Sequence, residues 1–320
     1  MKRGTTRRMC SCSYQLLLLT ALAAVVCLFS LNTPFFFRWD NLRNVLDQST
    51  LNIIMAVGMT FVIGSSGIDL SVGASAALSG VICAILMKSG TVVYISVFTS
   101  LAAGAALGVA NGIFTCRFRI SPFIVTLGSM SVYRGLALII TGAMPVYGFP
   151  GGFTWLGRGR LFALPVSVVI CAAILVAGFF LLTDTRFGLY AIAMGSNEEA
   201  LRRVGVRTSL YKIAIYGLCG FTAAVAGIFL TARLNCAEPL AGYMMEMDAI
   251  ATVILGGTPM KGGDASMAGT LTAGILLAVL KNGLTILGVA SYYQQFMVGL
   301  IILAAAVIAE LRSKILIDTE

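Results

Sequence analysis

Uncharged apolar runs, each about as long as a membrane-crossing helix, recur from residue 14 almost to residue 310, and the charged residues gather in the short segments between them. A hydrocarbon core of ~30 Å needs about 20 residues of helix, because every backbone N–H and C=O must be satisfied inside the segment. On that measure the chain carries about ten spans, at 14–31, 49–66, 71–87, 92–116, 122–141, 163–183, 212–232, 245–258, 266–288 and 293–310. The expected fold class is all-α, a polytopic integral membrane protein. It divides into an N-terminal tail (1–13), a transmembrane domain (14–310) and a C-terminal tail (311–320). The eighth segment is too short to cross unaided.

Composition agrees with this pattern. Apolar residues make up 58% of the 320 and charged residues 11%, against roughly 45–50% and about 25% in soluble domains. The net charge of +9 is therefore read against the two sides of a membrane, and nucleic-acid binding is not expected. With the N-terminus inside, fourteen of the 22 Lys and Arg residues fall in inner segments and six in outer ones, while Arg134 and Lys281 lie within spans. That asymmetry places both termini and the loop 184–211 on the cytoplasmic side. The basic N-terminus ahead of Tyr14–Leu31 resembles a signal peptide, but no small-residue cleavage pattern follows, so the run reads as an uncleaved first helix.

Cys27, Cys83, Cys116, Cys171 and Cys219 sit in apolar runs, where cysteine acts as a small hydrophobe. Cys10 and Cys12 form a C-x-C pair without nearby His or further Cys, and no metal site is expected. Gly104, Gly108 and Gly112, at spacing four, place small residues on one face of the fourth span, which is a helix-packing signal.

The loop 184–211 contains G-S-N-E-E-A-L-R-R-V-G. Ser196 and Glu199 have the spacing of a capping box, Glu198 and Glu199 each precede Arg202 or Arg203 by four residues, and Gly205 follows as a stop. A helix of about two and a half turns is marginal alone in water. It reads either as a solvated linker or as a rigid docking element for a cytoplasmic partner.

These residues resemble the coupling loop of ABC-type import permeases, with Glu199, Ala200, Leu201 and Gly205 on its Glu-Ala-Ala…Gly pattern. From about Met55 to Ile308 the chain is similar to the ribose-type permease family. The matching blocks are G-M-T-F-V-I (58–63), G-I-D-L-S-V-G (67–73), P-F-I-V-T-L-G (122–128), Arg134-Gly135, A-I-A-T-V-I-L-G-G-T (249–258) and N-G-L (282–284). It departs at Leu189 and Asp264, where that family often has Arg. The resemblance implies a permease subunit for a sugar-like solute in a bacterial inner membrane. It also implies an ATPase subunit that uses ATP and Mg, a second permease subunit and an extracytoplasmic solute-binding protein as partners. Ser196, Asn197, Glu198, Glu199, Ala200, Arg202, Arg203 and Gly205 then form the ATPase-coupling element. A branched-chain amino-acid permease is the nearest alternative.

The chain contains no G-x-x-x-x-G-K-[ST], and none of its lysines follows a glycine, so no cofactor is expected on this subunit itself. Ion-coupled transporters place ionisable residues in the bundle as relays. Candidates for that role are confined to Asp69, Arg134 and Lys281. A membrane-embedded enzyme lacks its equipment: no His, no H-E-x-x-H and no G-x-S-x-G is present.

Asp69 lies in the Gly/Ser-rich stretch 64–73 and either caps the third span or helps to form the translocation path. The segment 249–264 is a second Gly-rich interruption. Arg134 requires a partner or a water-filled cavity. Asn111, Asn282, Gln294 and Gln295 suit either sugar hydroxyls or interhelical hydrogen bonds.

Overall fold

The computed structural model describes residues 2–161, 163–301 and 303–304, with side chains from residue 14 onward. The helices, in chain order, are α1 (Lys2–Asn32), α2 (Trp39–Gly64), α3 (Val72–Lys88), α4 (Val93–Phe118), α5 (Pro122–Thr141) and α6 (Gly151–Arg158). They continue with α7 (Val166–Thr183), α8 (Arg186–Arg203), α9 (Thr208–Leu234), α10 (Met245–Leu255) and α11 (Met267–Ile286), and residues 291–301 are helical again. Four two-residue strands pair antiparallel: β1 (Val146–Tyr147) with β4 (Cys236–Ala237), and β2 (Arg160–Leu161) with β3 (Leu164–Pro165).

The chain is thus an all-α polytopic membrane protein. Among the described residues, seven helices are long and apolar enough to cross: α1 from Tyr14, α2, α4, α5, α7, α9 and α11. Of the other expected spans, α3 has 17 residues and α10 only 11, because each starts inside the bundle after an irregular segment. The third, 293–310, passes beyond the described residues after 304, as do the C-terminal tail 311–320 and the side chains of the N-terminal tail 1–13.

The second helix begins at Trp39, well before the expected residue 49. Charges in its first turns do not stop it, since Asp47 pairs with Arg233 of α9 and accepts a hydrogen bond from Ser167 of α7. Helices α2 and α9 form the buried centre, and fewer than a third of the residues in the apolar stretches of α1, α4, α5 and α7 are buried. The glycine face of α4 packs on α9: a methyl at Gly108 would lie 2.0 Å from the Tyr216 carbonyl oxygen, and one at Gly104 2.3 Å from the Ala224 side chain. Gly112 meets Ile213 in the same way. Backbones this close bring dispersion contacts that larger residues would block.

Helix α1 lies at the edge and is held at two places. At the start of its apolar stretch the Tyr14 hydroxyl donates to Leu255 O at 2.8 Å and the Gln15 amide donates to Ser266 Oγ at 3.3 Å. Near its end the Phe29 ring covers Gly283 of α11, where a methyl would meet the ring at 2.4 Å.

Candidate translocation site and docking helix

Helix α2 closes at Gly64, and residues 65–71 run irregularly through the bundle before α3 starts. Such a segment carries backbone groups that lipid cannot satisfy, so neighbouring elements must do so. The Tyr216 hydroxyl of α9 donates to Ile68 O at 3.2 Å. Asp69 is only 1% exposed. Its Oδ1 accepts from the Ser71 amide at 2.9 Å and the Ser71 hydroxyl at 2.6 Å. The carboxylate therefore closes a turn ahead of α3; the N-cap residue itself is Ser71, whose side chain makes no capping bond. Asn111 of α4 donates to Ser71 Oγ at 2.8 Å, and the Tyr133 hydroxyl of α5 lies 3.1 Å from Asn111 Oδ1.

The second irregular segment precedes α10. Arg134 donates to the carbonyls of Pro239 (3.1 Å) and Ala241, which fixes this segment against α5. Gly242 follows with φ of +70°, and its position is closed to other residues, because a methyl there would lie 2.6 Å from Gly73 O. A methyl on Gly73 would lie 2.4 Å from Gly242 O and 2.3 Å from Glu246 Oε2. The first turn of α3 and the turn just ahead of α10 therefore meet backbone to backbone inside the bundle. Helix N-termini present unpaired N–H groups and a partial positive charge. Glu246, in the first turn of α10, is 5% exposed, is attracted by the Arg134 guanidinium, and keeps Oε2 without a hydrogen-bond partner among the described residues.

The interruption expected at 249–264 is thus displaced: residues 249–255 continue α10, and the irregular stretches lie on either side of it. Of the polar residues proposed for the path, Asp69, Asn111 and Arg134 converge on this meeting point. Asn282 does not; it donates to Asn41 Oδ1 of α2 at 3.0 Å. Gln294 donates to Thr285 Oγ1 (3.2 Å) and Val289 O (2.9 Å), and Gln295 is exposed. Lys281 pairs with Asp248 at 2.6 Å, beside a cavity of about 120 Å³ also lined by Asn52.

Helix α8 corrects the reading of the loop 184–211. It holds two helical stretches that meet at Asn197, whose φ of −162° and ψ of 94° are extended, so the expected short helix begins after Asn197 and follows directly on a first stretch from Arg186. The S-x-x-E box does not form. Asn197 Oδ1 takes the capping role, accepting from the Ala200 amide at 2.9 Å, because the bend makes Asn197 the residue that starts the second half. Ser196 instead points its hydroxyl at Gly263 O, 3.4 Å away. Beyond the bend, Glu198 pairs with Arg202 at 3.0 Å and Lys212 at 2.6 Å, and Glu199 with Arg203 at 2.5 Å. Burial pushes the Glu198 carboxyl up, but the hydrogen bond and charge of Lys212, with Thr208 and Arg202, outweigh it and hold its pKa below the ordinary value. The four charged side chains border an open hollow of about 540 Å³. Gly205 ends the element with φ of +87° and open space around it.

Sequence reasoning missed Ser71, Tyr133, Gly242 and Glu246. Gly242 and Glu246 flank the apolar start of a short span and were readable as a break before it; Tyr133, beside Arg134, carries no signal of its own. Among the described residues, no group of three or more His, Cys, Asp or Glu side chains could hold a metal ion.

Comparison with known proteins gives the same direction. Residues 41–306 match the family model described as branched-chain amino acid transport system / permease component. The ribose import permease protein of Escherichia coli (strain K12) is 42% identical over 294 residues, covering 91% of this chain and 92% of that one. The ribose import permease protein of Bacillus subtilis (strain 168) is 40% identical over 90% of each chain. The D-allose transport system permease protein of Escherichia coli (strain K12) is 35% identical over 92% of this chain and 90% of that one. No solved structure matches. With similarity running the length of the chain and its interrupted helices at the matching blocks, the protein belongs to the ribose-type permease family of multi-pass inner-membrane importer subunits.

Proposed function

We propose that this permease conducts a neutral sugar through the seam where α3 and α10 meet, and that the outer half of α8 docks on a separate ATPase. The observation that carries the first part is the contact of Gly73 with Gly242 beside Glu246 Oε2. Two helices that start inside the bundle and a buried acceptor, Glu246 Oε2, come together there, as a path for a hydroxylated solute between interrupted helices requires. The relatives are named for ribose, D-allose and galactose, which sets the solute class. The family's printed description makes a branched-chain amino acid the second reading.

In this reading α3, α10 and the helix beginning at residue 291 join the seven long helices, so that about ten segments cross or enter the membrane. Both termini and α8 face the cytoplasm. A solute-binding protein delivers the sugar outside, a second permease copy or paralogue completes the path, and the ATPase supplies ATP and Mg chemistry.

The test is reconstitution with the cognate ATPase and binding protein, followed by uptake of D-ribose, D-allose, D-galactose and L-leucine. ATP-dependent accumulation of one sugar and no leucine is the expected result; leucine uptake alone removes the sugar assignment. A cysteine at Glu199→Cys should react with a membrane-impermeant reagent only from the cytoplasmic side. Labelling from outside reverses the topology.

A further inference from the structure

Three segments distant in sequence are laced together at the end of the bundle that carries α8. They are the close of α2 (Gly64–Ser66), the loop after α10 (Lys261–Gly263), and the last residues of α8 before its bend (Gly195–Ser196). The Gly263 amide donates to Gly64 O at 3.0 Å. The Ser66 hydroxyl is within reach of both Gly195 O, at 3.1 Å, and Lys261 O, and the Ser196 hydroxyl points at Gly263 O. Side chains are excluded from the centre: a methyl on Gly195 would lie 2.1 Å from Gly64 O and 2.3 Å from the Gly263 amide nitrogen. Backbone touches backbone, so a shift of one segment cannot be absorbed by a side-chain rotation.

The position of this junction gives it meaning. Gly64–Ser66 opens the irregular segment that leads to Asp69 and the start of α3, and Lys261–Gly263 follows the far end of α10. The junction therefore touches both interrupted elements whose other ends meet at Gly73 and Gly242. On its third side it touches α8 immediately before Asn197, where the helix bends toward its charged, exposed half.

We infer that Gly195, Ser66 and Gly263 are positioning residues of transport, which pass a displacement of the outer half of α8 to both half-helices at once. The inference rests on α8 being the ATPase-docking element. Gly195 is the critical member, since any side chain there must part Gly64 from Gly263. The docking residues beyond the bend remain untouched by such a change.

The experiment compares Gly195→Ala and Ser66→Ala importers, each assembled with its ATPase and binding protein in proteoliposomes. Ser66→Ala removes only a hydroxyl and introduces no clash, so it holds the test open if Gly195→Ala inserts poorly. Three readouts come from one preparation: ATPase copurification, ATP hydrolysis, and accumulation of whichever of D-ribose, D-allose and D-galactose the unaltered importer takes up. The expected result is native copurification, hydrolysis within about twofold, and uptake lower by about tenfold, in the range of ordinary coupling energies. Sugar moved per ATP then falls. Hydrolysis and uptake both unchanged overturn the inference, and so does a parallel fall of the two. Loss of the ATPase from the complex also overturns it, by making these docking residues. The reading beneath it fails separately, if Glu199→Ala combined with Gly205→Val keeps both ATPase association and uptake.

Discussion

The seam between α3 and α10 and the outer half of α8 both depend on carboxylates, and they use them in opposite ways. Asp69 and Glu246 are buried, and the groups that hold Asp69 are an amide, a hydroxyl and, one step on, the Asn111 side chain. Glu198 and Glu199 each face an arginine one helical turn further on, and the Glu199 and Arg203 side chains are 72% and 77% exposed. Burial makes each partner of Asp69 indispensable to the fold, because an abandoned donor there finds no water. Exposure makes the Glu199–Arg203 pair cheap to lose and leaves it free to serve another surface.

The sharpest way to break this contrast is to remove the carboxylate at Asp69. Asp69→Leu strips the acceptor from the Ser71 amide and hydroxyl, and the loss of stability should be about 1–3 kcal/mol for each donor left unpaired. Asp69→Asn keeps an acceptor oxygen and should lose markedly less. Thermal unfolding in detergent, followed by size-exclusion elution, reads both. Equal behaviour of the two variants would show that the hydrogen bonds of Asp69 do not matter to stability.

A smaller effect is expected on α8. Glu199→Ala removes an exposed pair four residues apart and should change stability by no more than about 0.5 kcal/mol, while weakening copurification of the ATPase. A large fall in thermal stability with intact ATPase association would invert the assignment of the two regions.

The smallest effect is a pH dependence. The pKa of Glu198 is lower in the fold than in the unfolded chain, so its contribution is complete above the ordinary carboxylate range. It is lost as pH falls through the depressed value. Screening keeps it slight, since this side chain is partly exposed. Acid titration of the native protein beside Glu198→Gln, followed by hydrogen exchange over residues 198–212, should show extra acid loosening only in the native chain.

These two regions were also unequally legible in the sequence. The charge spacing of α8 and its terminal Gly205 depend on contacts within one turn, and such contacts can be read directly from the order of residues. The cap was misassigned because Ser196 answers to Gly263, 67 residues away, and the local pattern cannot register that demand. The α4 glycines announced a packing face but not its partner α9. For the seam, Asp69 and Arg134 stand out as charges in apolar surroundings, whereas Glu246, in the first turn of α10, signals only a break before a short span. Hydropathy marks α3 and α10 as spans for the same reason, since it records apolar character, and both are apolar without being long.

Helix α1 contributes little to the core, yet it is fastened to the end of α10 through Tyr14 and to α11 through Phe29. A strut tied at two points sets a distance between them. The helix that looks most dispensable by burial therefore ties both ends of the loop 256–265, at Leu255 and Ser266, to α11.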